Sequence, residues 1–268
     1  SGFMIARVSR WGVRTMPKRT IMILGGTTEA RALADQLVET HGDALRVITS
    51  LAGRTTAPKL PKGEVREGGF GGADGLAAYM RDTGIDMLVD ATHPFAAQIS
   101  KHAAEAAAVT GTPRLMLVRP AWVEEPGDRW IHVADMDAAA AQISRRSDAC
   151  LITTGVQDLD AFIPIVTTKL FVRLIEKPSK PLVLQNAEII IGSPPYRKDD
   201  EVALLQMMGI DLMVTKNAGG AATYAKIEAA RQLGVEVIMI DRPALPEGAR
   251  VDNVAGVLEA VKRVLAIS

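Results

Sequence analysis

The sequence has little of what several protein classes depend on. Cys150 is the only cysteine among 268 residues, which excludes an internal disulfide framework and any zinc or iron–sulfur site built from several cysteines. The 31 basic and 31 acidic residues balance, so no overall field favours nucleic acid as a partner. No apolar run approaches the length needed to span a bilayer, and we therefore expect no membrane partner.

Motifs of several familiar chemistries are also missing. The chain has no G-x-x-x-x-G-K-[ST] phosphate loop, no nucleophile elbow and no H-E-x-x-H. Since His41, His102 and His132 are scattered without the spacing of metal ligands, we predict no metal site. Residues 1–17 are rich in arginine and lack acids, and we expect them to form a disordered extension or tag remnant. Cytoplasmic localisation is the default expectation.

What the chain has is an alternation of short apolar runs with alanine-rich helical patterns, which is typical of parallel α/β proteins. Strands are predicted at 19–24, 45–50, 64–67, 87–91, 115–118, 130–133, 150–153, 170–174, 188–192, 212–215 and 235–240. Helices are predicted at 29–39, 73–83, 95–110, 135–146, 199–208, 222–233 and 254–266. Residues 119–128, with two prolines and a glycine, predict a linker.

The two series of elements predict an α/β fold of two Rossmann-like lobes with parallel sheets and a ligand cleft between them. The first lobe would cover residues 18–120 and bind a dinucleotide, and the second would cover 129–268 and bind the substrate. Such folds place ligands at the carboxyl ends of parallel strands and at domain interfaces. The last predicted helix could pack against its own lobe or cross back to the first.

The first predicted strand runs directly into Gly25 and Gly26, and a helix follows at once. The first N–H groups of a helix have no intrahelical partner, and the helix dipole favours an anion in front of them. Adjacent glycines let a pyrophosphate approach without meeting a Cβ. We therefore predict that Gly25, Gly26, Thr27 and Thr28 bind the pyrophosphate of a dinucleotide. The alternative is that the glycines serve turn geometry only.

The second predicted strand ends at Ser50 without an acidic residue, and Arg54 follows four residues later. In dinucleotide-binding folds an acid near this strand end binds the ribose hydroxyls of NAD, whereas an arginine accommodates the extra phosphate of NADP. A hydroxyl and a guanidinium would bind that phosphate through charge-assisted hydrogen bonds. The pattern favours NADPH over NADH. The alternative is that Arg54 is a solvated loop residue.

A polar cluster follows the strand predicted at 87–91. Pro94 suits the first turn of the next helix, because its missing N–H costs no hydrogen bond there. Thr92 and His93 would then face the cleft near the glycine turn, and we assign both to the cofactor site. His93 is also a catalytic candidate, with capping or packing as the alternative for a lone histidine.

Two strand ends of the second lobe carry small residues whose amides open helices, an arrangement that suits anionic groups. Thr154 and Gly155 follow one strand, and Gly219 and Gly220 follow Lys216 at the end of another. Lys216 is the only cation at its strand end, so it could bind a carboxylate or donate a proton. We assign all five residues to substrate binding. The alternative for the glycines is that they close tight turns.

A resemblance to a known family rests on ILGGTTEA at 23–30, DATHPFA at 90–96, TKNAGG at 215–220 and DRP at 241–243. In order and spacing these segments resemble the precorrin-6A reductases of cobalamin biosynthesis. Members of that family reduce one double bond of the precorrin-6A macrocycle with NADPH to give precorrin-6B. The resemblance implies an NADPH-dependent oxidoreductase with a tetrapyrrole substrate. It also implies that residues 25–28 hold the cofactor pyrophosphate, with Ser50 and Arg54 at the adenosine phosphate.

Such a reduction also requires a proton at the carbon next to the hydride acceptor. Lys216, His93 or a water held by either is the candidate donor. Two other readings stay open: a tetrapyrrole-binding lyase or synthase that needs no dinucleotide, and a non-catalytic NADP-sensing module. We expect a monomer or a weak homo-oligomer.

Overall fold

A computed structural model describes residues 18–53 and 59–267. The strands are β1 (Arg19–Leu24), β2 (Leu45–Leu51), β3 (Glu64–Glu67), β4 (Met87–Asp90), β5 (Arg114–Leu117), β6 (Trp130–Val133), β7 (Ala149–Ile152), β8 (Lys169–Leu174), β9 (Ala187–Ile191), β10 (Leu212–Lys216), β11 (Glu236–Ile240) and β12 (Arg250–Val251). The helices are α1 (Thr28–His41), α2 (Gly72–Thr83), α3 (Ala97–Thr110), α4 (Met136–Ile143), α5 (Lys198–Met207), α6 (Ala225–Leu233) and α7 (Val254–Leu265). Short 3-10 helices occupy Gly42–Ala44 and Leu159–Phe162. The extension predicted at 1–17 lies outside the described residues.

The first sheet has six parallel strands in the order β12-β5-β4-β1-β2-β3. Its central strand β1 is buried on both faces, because successive side chains point to opposite sides. Ile21 and Ile23 pack with α1 and α7, whereas Met22 and Leu24 pack with α2 and α3. Helices covering both faces explain why this strand is a continuous apolar run in the sequence.

The second sheet repeats this arrangement with six parallel strands in the order β6-β11-β10-β7-β8-β9. The central strand β10 again divides its side chains between two apolar clusters. Leu212 and Val214 join one cluster, and Met213 joins the other. The prediction of two Rossmann-like lobes with parallel sheets is confirmed.

The chain returns to the first lobe at its C-terminal end. β12 pairs with β5, and the buried side of α7 packs in the same cluster as α1. Val257, Val261 and Leu265 repeat every four residues, so they form one apolar stripe on α7. That stripe completes the first core. The range 129–268 expected for the second lobe is therefore too long, because the strands of the second sheet end with β11.

Candidate active site

A cavity of about 1200 Å³ opens between the two lobes, as the sequence predicts. Most of its wall belongs to the second lobe, at the carboxyl ends of β7, β8 and β10 and in the loops that follow β7 and β8. The first lobe contributes His93, Phe95 and Ala96, which follow β4. Carboxyl ends of parallel strands from both sheets thus meet at one cavity, where folds of this kind bind ligands.

The two glycines between β1 and α1 are needed for different reasons. The Gly25 N–H donates to the Ser50 carbonyl oxygen at 2.9 Å, which holds the turn against β2. A Cβ on Gly25 would lie only 2.8 Å from Cγ2 of Thr49. Gly26 has a φ of +107°, and the space that its Cβ would fill is open. Gly25 therefore allows close packing with β2, while Gly26 leaves the front of the turn accessible.

Thr27 is the N-cap of α1. Its hydroxyl oxygen accepts from the Ala30 N–H at 3.1 Å and donates to the Ala91 carbonyl oxygen at 2.8 Å. The cap thus also ties α1 to the end of β4. The N–H groups of Thr28 and Glu29 lie in the first turn, where a helix offers no backbone acceptor. These amides are suited to an anion, as predicted from the sequence.

Ser50 lies buried at the end of β2, in register with Leu24 of β1 and Arg66 of β3. Arg54 lies outside the described residues, and its role stays a prediction. The guanidinium that the structure brings to Ser50 belongs to Arg66, whose Nη1 is 3.5 Å from the Ser50 Oγ. Sequence reasoning missed Arg66. The available signal was its place near the end of the strand predicted at 64–67.

Thr92 lies next to the glycine turn rather than in the large cavity. Its hydroxyl donates to the buried Asp90 carboxylate at 2.6 Å. Together with Thr27 and Glu29 it lines a gap of about 10 Å³ beside the start of α1. The structure therefore brings Thr92 to the cofactor side of the predicted site.

His93 lines the large cavity and is mostly buried. Its Nδ1 accepts from the Phe95 N–H at 3.2 Å, so the proton of the neutral ring is on Nε2. Burial, reinforced by the positive charges of Arg119, Lys216 and Arg242, lowers the pKa of His93 to about 4. The ring is therefore neutral near pH 7. It can donate a hydrogen bond from Nε2, but it is not an imidazolium acid at that pH.

Lys216 ends β10 and lines the cavity opposite the first lobe. Its Nζ donates to Oδ2 of Asp158 at 2.5 Å and lies 5.6 Å from the ring centroid of Phe95. The aspartate comes from the loop that follows β7, 58 residues earlier, and sequence reasoning missed it. This ion pair holds the Lys216 side chain in place at the cavity wall.

The four other predicted substrate residues separate into two pairs. Thr154 and Gly155 line the cavity, whereas Gly219 and Gly220 do not line it. A Cβ on Gly219 would overlap the Pro120 carbonyl oxygen, and one on Gly220 would lie 3.3 Å from the Arg119 side chain. Both glycines have positive φ. Their position fits the tight-turn alternative, because they let the linker approach β10.

Hydrogen bonds attach the predicted linker to the second lobe. The Trp122 N–H donates to Oδ1 of Asn217 at 2.8 Å, and Nδ2 of Asn217 donates to the Trp122 carbonyl oxygen at 3.0 Å. Arg119 donates to the Ala218 carbonyl oxygen at 2.6 Å and to the Glu29 carboxylate at 3.1 Å. Contacts of Arg119 thus connect α1 of the first lobe to the segment after β10.

A buried ion pair that sequence reasoning missed supports the cavity wall. Nη1 and Nη2 of Arg173 donate to the two carboxylate oxygens of Glu201 at 3.0 and 2.7 Å. The Arg173 guanidinium carbon lies 4.4 Å from the ring centroid of Tyr196, and both residues line the cavity. Glu201 holds the guanidinium in a fixed orientation there.

The outer wall of the cavity combines apolar and basic side chains. Val156, Ile175 and Val183 line it with 52%, 68% and 73% of their surface exposed. Lys177 and Lys180 lie in the same wall. Apolar side chains grouped at the mouth of a cavity are typical of a ligand site. This wall suits a large ligand with an apolar body and anionic groups.

Within the described ranges no helix is both long and apolar enough to cross a membrane. In the same part of the chain, no three or more His, Cys, Asp or Glu side chains gather in a way that could hold a metal ion.

The class of protein is defined by two Rossmann-like lobes that face each other across a cavity. These are two-domain α/β proteins with a ligand site at the domain interface. Within that class, a sequence model described as precorrin-6x reductase CbiJ/CobK matches residues 20–262. The chain belongs to this family.

Individual relatives carry names that match this family. The chain is 45% identical over 239 residues to the precorrin-6A reductase of Rhodococcus erythropolis, covering 89% of this chain and 95% of the relative. It is 44% identical over 256 residues to the precorrin-6A reductase of a Sinorhizobium species, covering 96% of each. A solved structure of CobK precorrin-6A reductase matches with a TM-score of 0.85 at 38% identity, covering 92% of this chain and 97% of the other. The resemblance and the fold class are both confirmed.

Proposed function

We propose that this chain uses NADPH to reduce one carbon–carbon double bond of precorrin-6A, giving precorrin-6B in cobalamin biosynthesis. The observation that carries the proposal is the shared cavity, where residues after β4 of the first lobe face Lys216 of the second. The names of the two relatives support the cobalt-free macrocycle as the substrate.

Residues of the first lobe fit a nicotinamide dinucleotide. The open front of Gly26 and the first-turn amides of α1 would hold the pyrophosphate, with Thr27 and Thr28 beside it. Thr92 and His93 follow the neighbouring strand β4 and would lie toward the nicotinamide. Ser50, at the end of β2, would lie at the adenosine side. When bound, NADPH supplies the hydride.

The second lobe fits the substrate. Val156, Ile175 and Val183 offer apolar surface to the flat body of a macrocycle, and Lys177 and Lys180 offer charge to its peripheral carboxylates. Thr154 and Gly155 lie in the same wall. A volume of about 1200 Å³ is large for a small metabolite but suits a tetrapyrrole.

Lys216 is the proton donor in this proposal. One carbon of the double bond takes the hydride, and its neighbour takes a proton from the Lys216 Nζ. An N–H bond therefore breaks and a C–H bond forms. The neutral amine then regains a proton from water. Asp158 keeps the ammonium group in position. His93, which is neutral, orients a polar group of the substrate from Nε2.

The test begins with cofactor binding, followed by nicotinamide fluorescence. We expect tight binding of NADPH, weaker binding of NADH, and turnover when precorrin-6A is supplied. Lys216→Ala should lower kcat by about 10²–10⁴-fold and leave NADPH binding unchanged, since it removes a proton donor but no cofactor contact. Lys101→Ala is a matched control, because it removes a lysine from an exposed pair with Glu105 on α3.

The outcomes separate the alternatives. Indifference to both nucleotides would exclude the reductase and favour the lyase or synthase. Binding of NADPH without turnover of precorrin-6A would favour the sensing module. Full kcat in Lys216→Ala would show that the proton comes from another group.

A further inference from the structure

Arg66 lies at the carboxyl end of the first sheet, where the adenosine half of the cofactor is expected. It is in register with Ser50 of β2, which in turn is in register with Leu24 of β1. Neighbouring strands are about 4.8 Å apart, and Arg66 lies two strands away from β1, which leads into the glycine turn. The distance between the two strands is therefore roughly 10 Å. The Ser50 hydroxyl lies between them.

Backbone carbonyls and aromatic rings hold the Arg66 guanidinium in place. Its Nη1 donates to the Gly68 carbonyl oxygen at 2.5 Å, and its Nη2 donates to that of Gly69 at 2.8 Å. Its central carbon lies 3.7 Å from the ring centroid of Phe70 and 5.1 Å from that of Tyr79. Aromatic faces and backbone carbonyls fix the side chain but leave its charge uncompensated.

A second arginine in the same pair of strands shows the contrast. Arg46, near the start of β2, makes a two-point ion pair with Glu64 at 2.7 and 2.8 Å. Arg66 has no carboxylate within 4.0 Å among residues 18–53 and 59–267. Glu67, its neighbour on β3, points to the opposite face because side chains alternate along a strand. Among the described residues, Arg66 at the carboxyl end of the sheet therefore has no anionic partner, whereas Arg46 near the opposite end is paired with Glu64.

The Arg66 guanidinium also has N–H donors that bind no other described residue. A guanidinium has five N–H groups, and the two carbonyl bonds together with the 3.5 Å contact to Ser50 account for three of them. A planar cation with free donors next to a serine hydroxyl matches a phosphate monoester. A ribose 2′-hydroxyl would need an acceptor instead, and no acid ends β2.

We propose that Arg66, supported by Phe70 and Ser50, binds the 2′-phosphate of NADPH and makes the enzyme select NADPH over NADH. The inference rests on the proposed function and names the residue that sets its cofactor preference. Because the guanidinium is already fixed, little rotamer freedom is lost on binding.

The experiment measures dissociation constants of NADPH and NADH for the full chain and for Arg66→Met, with adenosine 2′,5′-bisphosphate as a competing probe. Arg66→Met should weaken binding of NADPH and of the probe by about 10- to 100-fold and change that of NADH by less than about 2-fold. Arg66→Lys keeps the charge but loses the planar fork, so it should recover only part of the loss. Arg46→Met removes an arginine of the same sheet that is already paired, and it should change neither constant.

The contrary results are distinct. An unchanged preference for NADPH in Arg66→Met, above all if Arg54→Ala abolishes it, would overturn the assignment to Arg66 and leave the proposed function intact. Equal weakening of NADPH and NADH would show a purely structural role. Failure of the unmodified chain to bind either nucleotide would overturn the proposed function and this inference together.

Discussion

Lys226 offers a sharp test of the electrostatics of the second lobe. It lies near the start of α6 with only 5% of its surface exposed. Its Nζ donates to the Thr153 hydroxyl at 3.2 Å and lies 5.5 Å from the ring centroid of Trp122. Burial, together with the nearby charge of Arg173, lowers the pKa of Lys226 from 10.5 to about 7, although Glu201 opposes the change.

The cost of this buried amine follows from linkage. The unfolded chain keeps the amine protonated up to its ordinary pKa, whereas the folded protein releases the proton near pH 7. Folding is therefore penalised fully below pH 7, progressively less between pH 7 and 10.5, and not at all above that range. A change of this size corresponds to roughly 5 kcal/mol at low pH, because each pKa unit is worth about 1.4 kcal/mol.

We predict that Lys226→Met stabilises the protein, and more so at pH 6 than at pH 9.5. The variant loses one hydrogen bond worth about 1 kcal/mol. Thr153 stays satisfied, because its hydroxyl donates to the Val214 carbonyl oxygen at 3.0 Å. The expected gain in unfolding free energy at pH 6 is about 2–4 kcal/mol, or roughly 2–4 °C in Tm for each kcal/mol.

Thermal unfolding of both proteins across this pH range measures the effect. Lys101→Met, at an exposed position on α3, should change the unfolding free energy by less than about 0.5 kcal/mol at either pH. A gain that is the same at pH 6 and 9.5, or a loss at pH 6, would refute the reasoning. Either result would mean that the amine pays no charge penalty in the folded state.

Three further substitutions test packing and buried polar groups. Gly25→Ala places a methyl group against β2 and should lower stability by about 1–3 kcal/mol and weaken NADPH binding; unchanged Tm and affinity would contradict this. Asn217→Ala strands two backbone groups of Trp122 and should lower stability by about 2–4 kcal/mol in urea titrations, whereas a loss below 1 kcal/mol would mean that water replaces the amide. Glu201→Gln leaves a buried guanidinium unpaired and should cost about 3–5 kcal/mol in the same assay, while an apolar replacement of both partners should cost far less.

Most of the secondary structure was predictable because it is encoded locally. The strand predicted at 19–24 has those bounds in the structure, and those at 64–67 and 130–133 do too. A strand covered by helices on both faces is a short apolar run ended by polar or small residues. The amphipathic helices carry the same kind of local signal, with buried side chains at helical spacing.

The errors occur where long-range contacts decide. The helix predicted to start at residue 95 begins at Ala97, because the His93 ring holds the Phe95 N–H outside the helix. The two-residue strand β12 was not predicted, since so short a segment has no period of its own and becomes a strand only beside β5. Residues 222–224 were expected in a helix but precede α6.

The residues of the candidate site also fall into those that local sequence predicts and those that only long-range contacts reveal. The carboxyl ends of parallel strands face the same side of a sheet, so positions at strand ends could be predicted to lie near a ligand. Of the residues predicted in this way, the structure places His93, Thr154, Gly155 and Lys216 at the cavity. Their roles stay predictions. Their partners were not found. Asp158 meets Lys216, and Glu201 meets Arg173, only after loops and strands distant in the chain have packed.

The sequence by itself determined where most strands and helices form, that they alternate into two parallel sheets, and which loops follow the carboxyl ends of the strands. Only the tertiary structure decided that α7 belongs to the first lobe, that Gly219 and Gly220 lie against the linker, and that His93 is neutral. The physical reason is the distance along the chain over which each interaction acts. Hydrophobic periodicity and helix caps act over a few residues, whereas burial, ion pairing and pKa depend on atoms that the fold brings together from far along the chain.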